Sequence, residues 1–376
     1  MEQVKLIDIC LPKQWKTIPA SKLKEEGYLV YGANGLIGYY DQYTHEGETL
    51  MITCRGATCG TLNISKPYSY INGNAMALDN LDISRVNLKY LYYFLKARGF
   101  NDVISGSAQP QITRTSLKNV SVLLPSLDEQ ERIADILDKL DYIINKRKES
   151  IEKLDGLPKI LFRDMFGETF STCNSIEFYP LDEVCSEIYR YPTFYGLKYK
   201  AEGSAVIRIG NILSNGIVDP DMSNYVYIDS DISEKYPRTI IEYNDIVMAV
   251  RGDGSTAKRI GIINSKNLIN ANISPNLLRI KANIEKVNPK YLFYFLTSDI
   301  GQKKLESYIK RTAKKNITAT DVKKIELFVP SKEVQDKFEK IVSKIEYQTA
   351  LKKRQLIRME EINKAFIQEA FKRQLN

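Results

Sequence analysis

Two arginine-glycine pairs stand in matching surroundings, Arg55-Gly56 closing LMITCRG and Arg251-Gly252 closing IVMAVRG. In each, an apolar run of strand character ends in an arginine, and the following glycine permits a tight turn that presents the guanidinium outward. A guanidinium so placed can fork onto a guanine edge or a phosphate; the alternative is a surface arginine completing a salt bridge. Lys258-Arg259 and Lys314-Lys315 supply clustered positive charge of the kind that positions a protein on a phosphate backbone, or that forms only a solvated face. In the first half of the chain, Gln109-Pro110 holds the place of Lys314-Lys315, with Arg114 nearby.

A second set of candidates surrounds the glycine-rich turn YGANGLIGYY, where Tyr31 and Asn34 offer adaptable donors and acceptors. Tyr39 and Tyr40 read as strand residues that pack. Arg208 and Asn211, in VIRIGNI, hold a comparable position in the second half.

Motifs for catalysis are missing from the sequence. It contains no GxxxxGK[ST] loop, no glycine fingerprint of a dinucleotide fold and no Asn/Asp-Pro-Pro-aromatic element of amino-methyltransferases; SPNL at 274–277 has the wrong order for that element. One histidine, His45, reads as an ordinary loop residue and leaves no spare partner for a His pair or a Ser-His-Asp triad. The five cysteines are scattered without zinc-type spacing and read as reduced structural thiols. Net charge is +8, a mild preference for a polyanionic partner. No apolar run reaches bilayer length and no signal peptide opens the chain, so a cytoplasmic location is expected.

The elements that must position these residues come in duplicate. KYLYYFL at 89–95 returns as KYLFYFL at 290–296, and Val86-Asn87 before the first copy matches Val287-Asn288 before the second. INGN at 71–74 parallels INAN at 269–272, AQPQIT at 108–113 parallels AKKNIT at 313–318, and LLPSLDEQERI at 123–133 parallels FVPSKEVQDKF at 328–338. The first part of each repeat mixes β-branched and aromatic runs with turn residues, which predicts short strands. Tyr90, Leu91, Phe94 and Leu95 share one helical face, and the aromatic phrase reads as core.

After Pro125 and Pro330, helix formers take over. Ile133, Leu137, Leu140, Ile144, Ile151, Leu154 and Leu161 recur at coiled-coil spacing, and Phe338, Ile341, Ile345, Leu356, Met359, Ile362, Phe366 and Ala370 repeat the scheme, with Lys352 on the seam. Ser126 and Glu129 suggest a capping box, Phe166-Gly167 a stop, and Gly156 with Pro158 a kink or break near Leu157.

The ordered series of a variable globular part, KYLYYFL, GSAQPQIT and LPSLDEQERIADILDKLDYIINKRKESIEKLDGL ending in RDMFG, given twice, resembles the DNA-specificity subunit of type I restriction-modification enzymes. VYGANGLIGYYDQYTHEGETLMITCRGATCGTLN is similar to one subtype of that family's target recognition domain. The resemblance implies two target recognition domains, each reading half of a split, asymmetric site in double-stranded DNA, held apart by paired helices acting as a ruler. It also implies a non-catalytic chain that recruits two methyltransferase subunits and, with two motor-nuclease subunits, directs cleavage; AdoMet, ATP and Mg belong on those partners.

The expected fold is therefore α+β, two pseudo-repeated recognition domains at 1–125 and 168–330, each followed by a long helix at 126–167 and 331–376, the helices pairing as an antiparallel coiled coil. Two rivals stand beside it. One is a stand-alone restriction endonuclease with a metal-binding carboxylate site around Asp245 or Asp253; the other is a coiled-coil adaptor that binds only protein.

Overall fold

Strands form where apolar and β-branched residues cluster between turn formers. In the first half these are β1 (Glu2–Lys5), β2 (Leu11–Gln14), β3 (Tyr28–Gly32), β4 (Gly35–Tyr40), β5 (Leu50–Thr53), β6 (Leu62–Ile64), β7 (Tyr70–Ile71), β8 (Ala75–Asp79) and β9 (Ser121–Leu124). With them go helices α1 (Leu6–Ile9), α2 (Leu88–Arg98), α3 (Arg114–Leu117) and the long α4 (Leu127–Phe166). The computed structural model describes residues 2–33, 35–106, 109–167, 177–191, 198–250, 259–309 and 316–375, with side chains described as far as Phe371.

The second half carries α5 (Leu181–Val184), α6 (Ser230–Lys235), α7 (Pro289–Thr297), α8 (Asp299–Tyr308), α9 (Ala319–Lys323) and α10 (Lys332–Leu375). Its strands are β10 (Phe178–Pro180), β11 (Cys185–Arg190), β12 (Ser204–Ile207), β13 (Val226–Ile228), β14 (Ile246–Ala249), β15 (Ile260–Ile262), β16 (Asn272–Ile273), β17 (Leu277–Ala282) and β18 (Glu326–Phe328).

The chain divides into two compact units, Met1–Lys148 with Arg354–Asn376, and Glu149–Lys353. In the first, the strand orders are β2-β8-β5-β6, β4-β3-β7 and β1-β9; in the second they are β11-β17-β14-β15, β13-β12-β16 and β10-β18. Strand for strand this is one topology written twice. Even the parallel pairing recurs, β3 with β7 and β12 with β16. The central strands β5 and β14 are buried at every position, as continuous apolar runs require.

Register corrects one of the sequence pairings. Tyr31 pairs with Ile71 and Ile207 with Ile273. The Asn72 N–H donates to the Tyr31 carbonyl at 2.8 Å, and the Ser274 N–H to that of Ile207 at 2.9 Å. The counterpart of INGN is thus ISPN at 273–276, not INAN at 269–272. The identical letters misled because this turn is specified by backbone bonds, which Asn and Ser both permit.

The aromatic phrase is core in both copies. Tyr90, Leu91, Phe94 and Leu95 are at most 1% exposed, and the Tyr90 hydroxyl donates to the Leu123 carbonyl at 2.7 Å as Tyr291 does to Phe328 at 2.6 Å. Asn87 caps α2 and Asn288 caps α7. A buried glutamine then fastens each cap to the helix that follows. Gln130 accepts from the Asn87 N–H at 2.9 Å and donates to the carbonyls of Arg85 and Pro125; Gln335 accepts from the Asn288 N–H at 2.7 Å and donates to those of Lys286 and Pro330.

The long helices pair antiparallel. In the first unit Asn363 donates to Asp141 at 3.0 Å, Lys148 meets Glu360 at 2.8 Å, and Phe371 packs on Tyr90 and Phe94. In the second, Lys353 meets Asp155 at 2.8 Å, and Phe338 packs on Phe162 and Phe166. Asn363 takes an inward position, so Ile362, which spacing put on the seam, is 53% exposed.

The expected break near Leu157 does not occur: α4 runs through Pro158, whose ring is buried. A proline inside a helix costs about 3 kcal/mol; here burial of the ring and the packing of Ile151, Phe162 and Phe166 on either side offset it. The helix ends as expected, with the Gly167 N–H donating to the Arg163 carbonyl at 2.7 Å. At its start, Glu129 pairs with Arg132 through both carboxylate oxygens, where a capping box had been expected.

Candidate nucleic-acid interface

In the first unit three loops are tied along one edge. β3 and β4 form a hairpin whose tip carbonyl, that of Ala33, accepts the Thr53 hydroxyl at the end of β5. The chain then turns through Arg55 and Gly56. The Gly56 φ is +88°, a conformation that glycine adopts without strain, and a Cβ there would meet nothing within 4 Å. The third loop runs back antiparallel: Arg55 bridges Gln111, the Gly56 N–H donates to the Pro110 carbonyl at 3.1 Å, and the Ile112 N–H donates to that of Cys54 at 3.0 Å.

Arg55, Gln111 and Arg114 are exposed on this edge. Thr113 caps α3 and so fixes where Arg114 starts. Beneath Arg55 the Cys54 thiol is pushed above its ordinary value by burial, partly offset by the Gln14 amide and the Arg55 guanidinium. Cys10, Cys54, Cys59 and Cys185 all carry free thiols. Tyr31 is half-buried against Met51 and Ile71, and its hydroxyl accepts the Lys66 N–H at 3.3 Å. Tyr40 packs edge-on against Tyr70. Asn34 lies outside the described residues.

The second unit prepares the same edge. Ile317 donates to the Val250 carbonyl at 3.2 Å as Ile112 does to Cys54, and Val250 donates to Asn276 at 3.0 Å as Cys54 does to Asn74 at 3.2 Å. Arg251 therefore follows a strand end held in the same way as the one before Arg55. Arg251, Gly252, Lys258, Lys314 and Lys315 lie outside the described residues. Arg259 is exposed, and its carbonyl accepts the Ala249 N–H at 2.8 Å.

Arg208 is exposed, its guanidinium 6.0 Å from the centre of the Tyr199 ring. Asn211, grouped with it from sequence, faces inward instead. It is 4% exposed, accepting the Arg208 N–H at 2.8 Å and donating to the Asn224 carbonyl at 3.1 Å. Its place is to fix the turn that carries Arg208.

Two residues judged from sequence take on different roles. His45 is no ordinary loop residue: its Nε2 lies 2.9 Å from the Asp79 carboxylate and its Nδ1 2.7 Å from the Thr44 hydroxyl, with Trp15 packed against the ring. Asp245, offered as a metal-binding carboxylate, is 2% exposed and accepts from Arg279 Nε and from the Glu242 N–H, both at 2.7 Å. Burial raises its carboxyl above the ordinary range, against the pull of those two donors. The Asp245 carboxylate thus holds a buried arginine; Asp253 lies outside the described residues.

Sequence reasoning missed Thr53, whose hydroxyl ties the hairpin to the edge, and Gln111, which pairs with Arg55 across it. Gln111 was visible within the AQPQIT block; nothing local marked Thr53.

Residues 1–153 and 175–361 match the family described as type I restriction modification DNA specificity domain. The specificity subunit of the EcoprrI type I restriction enzyme of Escherichia coli is 34% identical over 124 residues, 32% of this chain and 30% of that subunit. The EcoBI specificity subunit, also from Escherichia coli, is 24% identical over 379 residues, 90% of this chain and 77% of that one. In the first of these matches, then, the chain spans under a third of the relative's length. The crystal structure of a type I restriction-modification S subunit from M. genitalium superposes with a TM-score of 0.64 at 15% identity, covering 98% of this chain and 95% of that one, which shows a shared fold. Duplicated sheets, paired long helices and a family match across both halves lead to one conclusion: the chain belongs to the type I restriction-modification DNA specificity family.

Proposed function

We propose that this chain is the non-catalytic reader of a type I restriction-modification assembly, binding a bipartite, asymmetric site in double-stranded DNA with one unit per half-site. The reading rests on one observation above the rest. On matching sheet frameworks, the equivalent connections differ: β3 ends at Gly32 and β4 begins at Gly35, whereas β12 ends at Ile207 and β13 begins only at Val226. Like frameworks with unlike reading loops suit unlike half-sites.

In this proposal Arg55, Gly56, Arg114 and Tyr31, with Asn34, form the first reading edge. Arg208, Arg251, Gly252, Lys258, Arg259, Lys314 and Lys315 belong to the second, and Asn211 positions Arg208. AdoMet, ATP and Mg reside on the methyltransferase and motor-nuclease subunits, and the assembly works in the cytoplasm. Tyr142, Ile143, Tyr347 and Ile357, all exposed on the long helices, give the methyltransferase subunits apolar surface to cover. Among the described residues no helix is long and apolar enough to cross a membrane.

The test is to replace residues 1–125 by another recognition domain of the family and map methylated adenines. One half of the methylated site changes and the other stays. A change in both halves refutes one unit per half-site, and unchanged sites favour the protein-only adaptor.

A further inference from the structure

The β3–β4 hairpin, part of the β4-β3-β7 sheet, exposes aliphatic side chains near its tip. Leu36 is 53% and Ile37 39% exposed. Register accounts for Ile37: Val30 pairs with Gly38 and Tyr31 with Leu36, so Ile37 is the extra residue of a bulge. Its side chain lies over Gly32, where a Cβ would come 3.0 Å from Ile37 Cδ1. Leu36 stands at a paired position next to the tip, opposite Tyr31, and is the more exposed of the two aliphatic side chains. The tip is bonded to Thr53, two residues before the exposed Arg55. An apolar side chain therefore sits on a cationic edge.

Resting on the DNA-reading role proposed above, we infer that the β3–β4 hairpin enters the major groove and that Leu36 reads a thymine through its 5-methyl group. That groove admits a two-stranded ribbon, and the thymine methyl is the one apolar feature on its base edges. The hairpin is such a ribbon from the Gly32–Gly35 pair beside Leu36, beyond the end of β7 at Ile71. Gly32, Gly35 and Gly38 keep the ribbon narrow. Arg55 and Arg114 supply the positive charge that a phosphate backbone complements. Duplex DNA thus satisfies the leucine and the arginines together.

The test uses the full chain assembled with its methyltransferase subunits and a duplex carrying the site mapped by adenine methylation. Each thymine of the half-site assigned to residues 1–125 is replaced in turn by deoxyuridine, which removes only the methyl group. The wild-type assembly loses about fourfold in affinity at one position, the worth of one buried methyl. Leu36→Ala binds thymine and uracil equally there, and Leu36→Val retains part of the difference. Both variants melt with the wild type because Leu36 is exposed.

Wild-type discrimination retained by Leu36→Ala overturns the inference, as does a half-site with no methyl-sensitive position. So does a Leu36→Ala assembly that loses its methyltransferase subunits, because Leu36 then faces protein. Failure of the wild-type assembly to select any sequence is a different result, and refutes the DNA-reading role itself.

Discussion

Arg55 and Arg114 lie on one edge but are built differently, and this predicts different defects. Arg55 follows a strand end fixed by Cys54, Ile112 and Gln111, a rigid placement suited to reading one base. Its replacement by Ala is expected to weaken binding of the cognate duplex by about 1–3 kcal/mol, with the loss confined to the preferred base pair at one position. Arg114 opens a four-residue helix, and its guanidinium makes no ion pair among the described residues. Arg114→Ala is expected to weaken all duplexes alike and to reduce the slope of log affinity against log salt by about one. Titrations at several salt concentrations, against cognate and single-substituted duplexes, separate the two; uniform loss in both variants would return Arg55 to the role of a phosphate contact.

At the scale of elements, each domain is fastened to its long helix in the same way, and beside the ion pairs of Lys89 with Asp138 and Lys290 with Glu346 a buried glutamine holds the helix cap. Gln130→Ala leaves the Asn87 N–H and the carbonyls of Arg85 and Pro125 without their partner in a site where Gln130 is 0% exposed. The expected cost is about 2–4 kcal/mol. Faster hydrogen exchange in α2, with α7 unchanged, is the readout; Gln335→Ala should do the reverse, and equal acceleration of both helices would contradict local fastening. This element was legible in sequence because Asn87, Gln130, Asn288 and Gln335 all sit in aligned blocks. The helices were legible from apolar spacing, but spacing is blind to polar pairs inside a seam, and so it placed Ile362 where Asn363 turns in to meet Asp141. It also overrated Pro158, since the compensation comes from aromatic packing that no local pattern records. The reading edge was half legible. Arg-Gly after an apolar run was visible, whereas the bonds of Thr53 to Ala33, Gly56 to Pro110 and Ile112 to Cys54 join residues far apart in the chain.

For the molecule as a whole, the proposed ruler follows from how the long helices are shared. α4 contributes to both compact units, as does α10, and each pairs antiparallel with the other within each unit. α4 continues through Pro158 for all of its 40 residues, about 60 Å at ~1.5 Å per residue. If the helices set the spacing between half-sites, adding length to only one of them shifts its register against the other, breaking the Asp141–Asn363 and Asp155–Lys353 pairs. Adding the same length to both preserves every pair. Insertion of one heptad after Lys148 together with one after Lys353 adds about 10 Å, equivalent to about three base pairs of B-DNA. Mapped methylation sites should then keep both half-sites and gain a longer spacer, while either insertion alone should lower stability. A double insertion that folds and methylates with the original spacer would show that something other than coil length sets the distance.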